Sequence, residues 1–94
     1  MNQIDFTGRN IEVTDAMKTH ASEKLQRILR RNQKITRIHV TFHIDGPSKV
    51  AEANMLVNGT EIHARGDDRD MYVATDSMVN RLISQLSKLN EKSK

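Results

Sequence analysis

The sequence predicts one α+β domain in which four strands and two helices follow one another in the order β-α-β-β-β-α. Four short segments alternate apolar and polar residues, as half-buried strands do, and two longer segments repeat apolar residues at helical spacing. The chain has 94 residues, which limits it to one modest core. We therefore expect a two-layer sandwich, with two parallel helices on one face of a four-stranded sheet and the other face open to solvent.

The first strand and the first helix occupy the first third of the chain. Ile4 and Phe6 alternate with polar neighbours before a glycine-containing turn. Thr14 is a suitable N-cap, and the acid that follows it lies where the helix dipole favours negative charge. Apolar residues then recur at helical spacing, at Met17, Ala21, Leu25 and Ile28. This pattern predicts a helix from about Asp15 to Arg31.

Alternation indicates three further strands. In the second strand, which begins near Arg37, the apolar residues are Ile38, Val40, Phe42 and Ile44. In the third strand they are Ala51, Ala53, Met55 and Val57, and in the fourth they are Ile62 and Ala64. Gly46-Pro47 ends the second strand, and Asn58-Gly59 strongly favours a two-residue hairpin turn between the third and the fourth.

A second amphipathic helix is expected from about Asp68, with Asp67 or Asp68 as its cap. Its apolar stripe, widened by Val79 and Ile83, comprises Met71, Thr75, Met78, Leu82, Leu86 and Leu89. We expect this stripe to be core, because little other core is available, and not a groove for a partner helix. Residues 1–94 then form a single domain, with a frayed tail at Glu91–Lys94.

The basic residues are unevenly distributed. Lysine and arginine outnumber aspartate and glutamate by 15 to 12, an excess too small to imply a polyanionic partner by itself. A right-handed crossover followed by two hairpin turns, however, makes both helices point the same way. Their C-terminal end would gather Arg27, Arg30, Arg31, Lys34, Lys88, Lys92 and Lys94. Lys24 and Arg81 would extend this patch along the groove between the helices.

Two interpretations of the patch remain open. Cations near helix C-termini complement the helix dipole, as the acids Asp15, Asp67, Asp68 and Asp70 would at the opposite end. Convergence of so many cations instead favours a site for a polyanion, whose binding should weaken with salt. Three aromatic residues are too few for a platform that stacks single-stranded bases. A nucleic acid would therefore be bound through its phosphates and its shape.

Other classes of protein are disfavoured. The sequence contains no cysteine, no signal-peptide pattern and no apolar run of membrane-spanning length, which together predict a cytoplasmic protein. His39 and His43 share the wet face of their strand but are about 13 Å apart, too far for one metal ion, and His63 lies two strands away. The acid cluster suits helix capping better than Mg²⁺. With no phosphate loop or activated nucleophile, we expect neither an enzyme nor a cofactor or small-molecule substrate.

Over its whole length the chain resembles the ribosome hibernation promoting factors and the related protein Y. Near the N-terminus the resemblance rests on Ile4-Asp5-Phe6-Thr7-Gly8 and Ile11-Glu12-Val13-Thr14-Asp15-Ala16. Farther along it rests on Ala51-Glu52-Ala53, Val57-Asn58-Gly59, Glu61-Ile62-His63-Ala64 and Asp70-Met71-Tyr72 with Ala74 and Asp76. Each motif is weak by itself, and together they are highly specific.

The resemblance implies a fold similar to double-stranded RNA-binding domains, placed in the decoding channel of the small ribosomal subunit. There it would contact 16S ribosomal RNA, exclude messenger RNA and tRNA, and silence ribosomes in stationary phase and stress. The chain resembles the short form, which is implied to promote ribosome dimerisation together with ribosome modulation factor. The family's basic helical positions correspond here to Lys24, Arg27, Arg81, Lys88 and Lys92.

The chain departs from the family pattern at four positions. Ser84 and Asn90 stand where close relatives usually carry a base, whereas Arg30 and Arg31 add charge. Affinity is therefore expected to shift toward the first helix. Two alternatives to ribosome binding remain: a general binder of double-stranded RNA, and a protein-interaction module that uses an exposed edge of the first or the fourth strand.

Overall fold

A computed structural model describes residues 4–32 and 34–92 of the chain, with side chains described as far as Leu89. The elements are β1 (Ile4–Arg9), α1 (Asp15–Arg31), β2 (Ile35–Asp45), β3 (Ser48–Val57), β4 (Thr60–Asp68) and α2 (Met71–Lys92). The strands lie side by side in chain order, with β1 parallel to β2 and the other neighbours antiparallel. The predicted β-α-β-β-β-α order is confirmed.

One hydrophobic core lies between the sheet and the two helices. The sheet contributes the predicted alternate residues of β2, β3 and β4 except Ile44, and Phe6 of β1 stacks on Phe42 with 6.1 Å between ring centroids. The helices contribute most of the predicted stripes, including Met17, Ala21, Leu25 and Ile28 from α1 and Met71, Met78, Leu82 and Leu86 from α2. Because the inward strand residues alternate with polar ones, the opposite face of the sheet remains open.

Helix α2 packs directly against β4 at Gly66. A Cβ atom at this position would lie 2.2 Å from the carbonyl oxygen of Ala74 and 2.6 Å from the amide nitrogen of Met78. Any side chain here would force the helix away from the strand. The absence of a side chain at Gly66 therefore lets α2 pack close to β4.

The two predicted hairpin turns form, whereas Gly8, expected in the turn that closes the first strand, belongs to β1. Asn58 and Gly59 have φ angles of 49° and 83°, the pair of positive values that a type I′ hairpin turn requires. Between β2 and β3, Gly46 has a φ of 61° and is followed by Pro47. These turns set the register that places the alternate residues of β2, β3 and β4 on the same face.

The second strand differs from its prediction at both ends. It begins at Ile35, before a β-bulge between Ile35 and Arg37, and Ile35 is almost fully buried. Ile44, predicted to be inward and buried, is 48% exposed. It lies at the end of β2 and pairs with the exposed Lys49, where no core side chain covers it.

The second helix also begins later than predicted. Residues 67 and 68 belong to β4, where Asp68 pairs with Lys49, and α2 begins only at Met71. Asp70 caps the helix instead, because its Oδ1 accepts a hydrogen bond of 2.8 Å from the amide of Tyr72. Of the expected tail, the backbone of Glu91 and Lys92 continues α2, whereas residues 93 and 94 lie outside the described residues.

Candidate nucleic-acid interface

A groove runs between the two helices, which point in the same direction as predicted. On its α1 side it is lined by Lys24, Arg27, Ile28, Arg31 and Asn32, and on its α2 side by Asp76, Val79, Asn80, Ile83, Leu86 and Ser87. Early residues of α2 thus face the middle of α1, and later residues face its C-terminus. The groove has a volume of about 690 Å³. Three of the predicted site residues line it.

Helix periodicity explains this arrangement of cations. Lys24, Arg27 and Arg31 are three and four residues apart, so they lie along one side of α1. Lys24 is half-buried and its Nζ lies 3.5 Å from Oδ1 of Asp76. Arg27 and Arg31 are exposed and form no ion pair within residues 4–32 and 34–89. Two guanidinium groups of the groove are therefore available to an anion.

A contact between the two helices closes the groove at the end opposite the C-terminus of α1. Nε2 of His20 on α1 lies 2.7 Å from Oδ1 of Asp76 on α2, and the His20 ring meets Tyr72 edge-on at 5.1 Å. Fifty-six positions separate His20 from Asp76. No periodicity or motif in the sequence predicts the contact, because it depends on how the helices pack.

Two further predicted cations lie near the C-terminus of α1. Arg30 is exposed on the outer surface of the helix, beside Arg27. Lys34 follows the helix and is held by its backbone, since its carbonyl oxygen accepts a hydrogen bond of 3.0 Å from the amide of Asn58. Arg30 and Arg31 also lie in the last helical turn, where they complement the helix dipole. The dipole interpretation and the polyanion interpretation are thus compatible.

The expectation that Arg81 extends the groove is wrong. Its Nη1 donates a hydrogen bond of 2.6 Å to the carbonyl oxygen of Arg65, and Nε2 of Gln85 donates one of 2.5 Å to that of His63. These contacts place Arg81 on the flank of α2 beside β4, away from α1. Lys88, seven residues later, shares this flank and is exposed. The side chain of Lys92 and all of Lys94 lie outside the described part.

The same two hydrogen bonds bear on the strand-edge alternative. β4 is an edge strand, and an exposed edge offers backbone groups to partner strands. Here the carbonyls of His63 and Arg65 are already bonded to side chains of α2. Part of the β4 edge is therefore occupied within the chain itself.

The arginines of the open sheet face, unlike those of α1, are paired with acids. Arg37 lies 3.4 Å from Asp5, Arg65 lies 3.0 Å from Asp45, and Arg9 lies 3.8 Å from Glu52. By contrast, Arg27, Arg30, Arg31, Lys34 and Lys88 form no ion pair with the side chains that the structure describes. Unpaired positive charge is thus concentrated on the helical side.

Glu52 is the centre of a polar cluster on the sheet face. It contacts the imidazole of His43 on one oxygen and lies 3.2 Å from Nε2 of His63 on the other. Burial by itself would raise the pKa of Glu52. The hydrogen bond with His43 and the electrostatic interactions with His43, His63 and Arg65 outweigh this effect and hold the pKa of Glu52 below its usual value.

Neither a metal site nor a membrane span is found in the described part of the chain. Among its histidines and acids, no group of three or more side chains is arranged to hold a metal ion. His39 instead shares a hydrogen bond of 2.9 Å with Thr7, and His63 shares one of 2.8 Å with Asn54. No described helix combines the length and the apolarity needed to cross a bilayer.

Comparison with known proteins relates the whole chain to one family. Residues 4–94 match the family described as Sigma 54 modulation protein / S30EA ribosomal protein. The "Ribosome hibernation promoting factor" of Klebsiella oxytoca is 34% identical over 92 residues, which cover 98% of this chain and 97% of the relative. The protein of the same name from Escherichia coli K12 is 32% identical with the same coverage.

Two solved structures have a similar fold. A ribosomal subunit interface protein from Coxiella burnetii superposes with a TM-score of 0.87 at 34% identity, covering 97% of this chain and 98% of that one. The N-terminal domain of protein Y from Thermus thermophilus gives a TM-score of 0.81 at 32% identity, with coverages of 95% and 99%. Both the fold and the sequence thus place the chain among the same proteins.

Proposed function

The chain belongs to the Sigma 54 modulation protein / S30EA ribosomal protein family, and from this premise we propose that it is a ribosome-associated hibernation factor. The resemblance to ribosome hibernation promoting factors inferred from the motifs is confirmed, since relatives of that name match nearly the whole chain. The proposed partner is the small ribosomal subunit, and the proposed location is the cytoplasm.

The unpaired cations of α1 are the observation that carries this proposal. Arg27 and Arg31 line the groove and Arg30 extends the surface outward, while the arginines of the sheet face are paired with acids. The surface that favours 16S ribosomal RNA is therefore the helical one. Phosphate contacts of this kind need no base sequence and weaken as salt rises.

Inhibition would follow from occupancy. Bound in the decoding channel, the rigid domain takes space that messenger RNA and tRNA need, and no bond is made or broken. Silencing in stationary phase and stress, and ribosome dimerisation together with ribosome modulation factor, are further parts of the proposal. They rest on the family membership, whereas the binding surface rests on the geometry of α1 and α2.

Co-sedimentation with purified small and large ribosomal subunits tests the proposal. The informative variant is Arg27→Glu/Lys88→Glu, which reverses two unpaired cations on the helical side. Its matched control is Arg9→Glu/Arg37→Glu, which makes the same change in net charge at exposed positions of the sheet face. We expect saturable, salt-sensitive binding to the small subunit that the first variant loses and the control retains.

Any one of three results would contradict the proposal. Absence of wild-type binding to the small subunit would exclude ribosome association. Equal affinity for a plain RNA duplex would favour the general double-stranded RNA binder instead. Equal loss in both double variants would show that net charge, and not the helical surface, governs binding.

A further inference from the structure

An exposed isoleucine lies in the middle of the basic groove. The sequence pattern assigned Ile83 to the buried stripe of α2, but its side chain is 48% exposed, and this expectation is wrong. Beneath it, Ile28, Val79 and Leu86 form a buried apolar floor. Phosphate groups offer no favourable contact to such a side chain. The groove therefore suits an occupant that presents apolar surface as well as negative charge.

The polar residues of the groove narrow the class of occupant. Arg27 and Arg31 on the α1 wall favour an anion. Asn80 on the opposite wall is exposed, and its amide forms no hydrogen bond with the described residues. Primary amides of this kind pair with the edges of nucleobases. A nucleotide offers all three features in one unit: a phosphate, a flat apolar face and a hydrogen-bonding edge.

The groove also has the size of a binding site for one small molecule. Its volume of about 690 Å³ lies within the range of about 300–1,000 Å³ typical of small-molecule sites. A base within a paired helix is covered by its neighbours and cannot enter such a groove, whereas an unstacked base can. The scarcity of aromatic residues is no obstacle, because the aliphatic floor supplies the apolar contact.

We propose that the groove between α1 and α2 holds a single unstacked nucleotide of ribosomal RNA. Its base packs on Ile83, its edge pairs with Asn80, and its phosphate binds Arg27 or Arg31. This inference rests on the proposed function and deepens it, because it adds recognition of an unpaired base to contacts with the phosphate backbone.

The first test compares affinities for the small subunit across a range of salt concentrations. Ile83→Ser should weaken binding about tenfold, the change expected when an exposed half of an isoleucine loses its apolar contact. The slope of log K against log salt should stay unchanged, because no phosphate contact is lost. The control is Ile44→Ser, which alters the same residue type at the same 48% exposure but far from the groove.

The second test identifies the occupant by base-specific chemical probing of the RNA in the bound subunit. Wild-type protein should protect at least one unpaired base, and that base should regain reactivity with Ile83→Ser and with Asn80→Ala. Asn80 is exposed, so its replacement leaves the packing of α2 intact.

The outcomes separate the two proposals. If wild-type protein does not bind the subunit, both fail. If it binds and Ile83→Ser behaves like Ile44→Ser, only the nucleotide site is overturned. If Ile83→Ser weakens binding without changing the reactivity of any base, the contact of Ile83 is not with a base, and the nucleotide site is again overturned.

Discussion

Nε2 of His20 on α1 lies 2.7 Å from Oδ1 of Asp76 on α2, so one contact joins the two helices at the closed end of the basic groove. Asp76 also lies 3.5 Å from Nζ of Lys24. The single acid of the groove lining thus pairs with one of the three cations that share this lining. Lys24 is in this way distinguished from Arg27 and Arg31.

Replacing Asp76 should therefore strengthen binding to the small subunit. Asp76→Asn removes a negative charge from the groove and releases Lys24, and we expect affinity to rise about threefold to tenfold at low salt. The half-exposed ion pair should contribute at most about 1 kcal/mol to the free energy of unfolding. Filter binding measures the affinity, with Asp67→Asn on the sheet face as control. An unchanged or lower affinity would contradict the expectation.

The unpaired and paired cations of α1 should differ in their salt dependence. Arg31→Gln should lower the slope of log K against log salt by about 0.7–0.9, the contribution of one phosphate contact. Lys24→Gln should lower it by less, because Lys24 is already paired with Asp76. Binding measured at four or more salt concentrations gives both slopes. Equal slopes for the two variants would mean that Lys24 leaves Asp76 and contacts the RNA without any loss of binding free energy.

The lowered pKa of Glu52 predicts how acid affects stability. A carboxyl group whose pKa is lower in the folded protein stabilises the fold above its unfolded pKa of about 4.5, and this stabilisation is lost as pH falls through the folded pKa. Glu52→Gln should therefore lower the free energy of unfolding at pH near 6 by about 1–2 kcal/mol. The difference from wild type should shrink below pH of about 4.

Urea unfolding at pH near 6 and at pH below about 4 measures the effect of Glu52→Gln on the free energy of unfolding. Glu61→Gln is a suitable control, because Glu61 is exposed on the same face of the sheet. A constant difference between wild type and Glu52→Gln at both pH values would show that the charge of Glu52 is not what stabilises the cluster.

The edge of β4 should become available for pairing with another chain when the two side chains of α2 that cover it are shortened. Arg81→Ala/Gln85→Ala frees the carbonyl oxygens of His63 and Arg65, and free edge groups promote pairing between chains. We expect dimers that increase with protein concentration, measured by sedimentation equilibrium. Ser84→Ala/Lys88→Ala, on exposed positions of the same helix, should remain in the wild-type state. If both double variants keep the oligomeric state of the wild type, edge protection is not a role of Arg81 and Gln85.

The candidate site was only partly predictable. Spacing along α1 correctly put Lys24, Arg27 and Arg31 on one side of a helix, because helical periodicity is a local property. It could not distinguish the paired Lys24 from the unpaired arginines, since the partner of Lys24 lies on α2. For Arg81, helix direction alone suggested the groove, while its position around the helix axis placed it beside β4.

Sequence patterns suffice to predict the order of the elements, the strand faces, the hairpin at Asn58-Gly59 and the parallel direction of the helices. These features follow from side-chain periodicity, turn chemistry and the handedness of the crossover, all of which act over short stretches of chain. Three features emerge only in the folded chain: the exposure of Ile83, the contact of His20 with Asp76 and the pairing of the sheet arginines. Each of these depends on the packing of side chains that are distant in sequence, which no local pattern encodes.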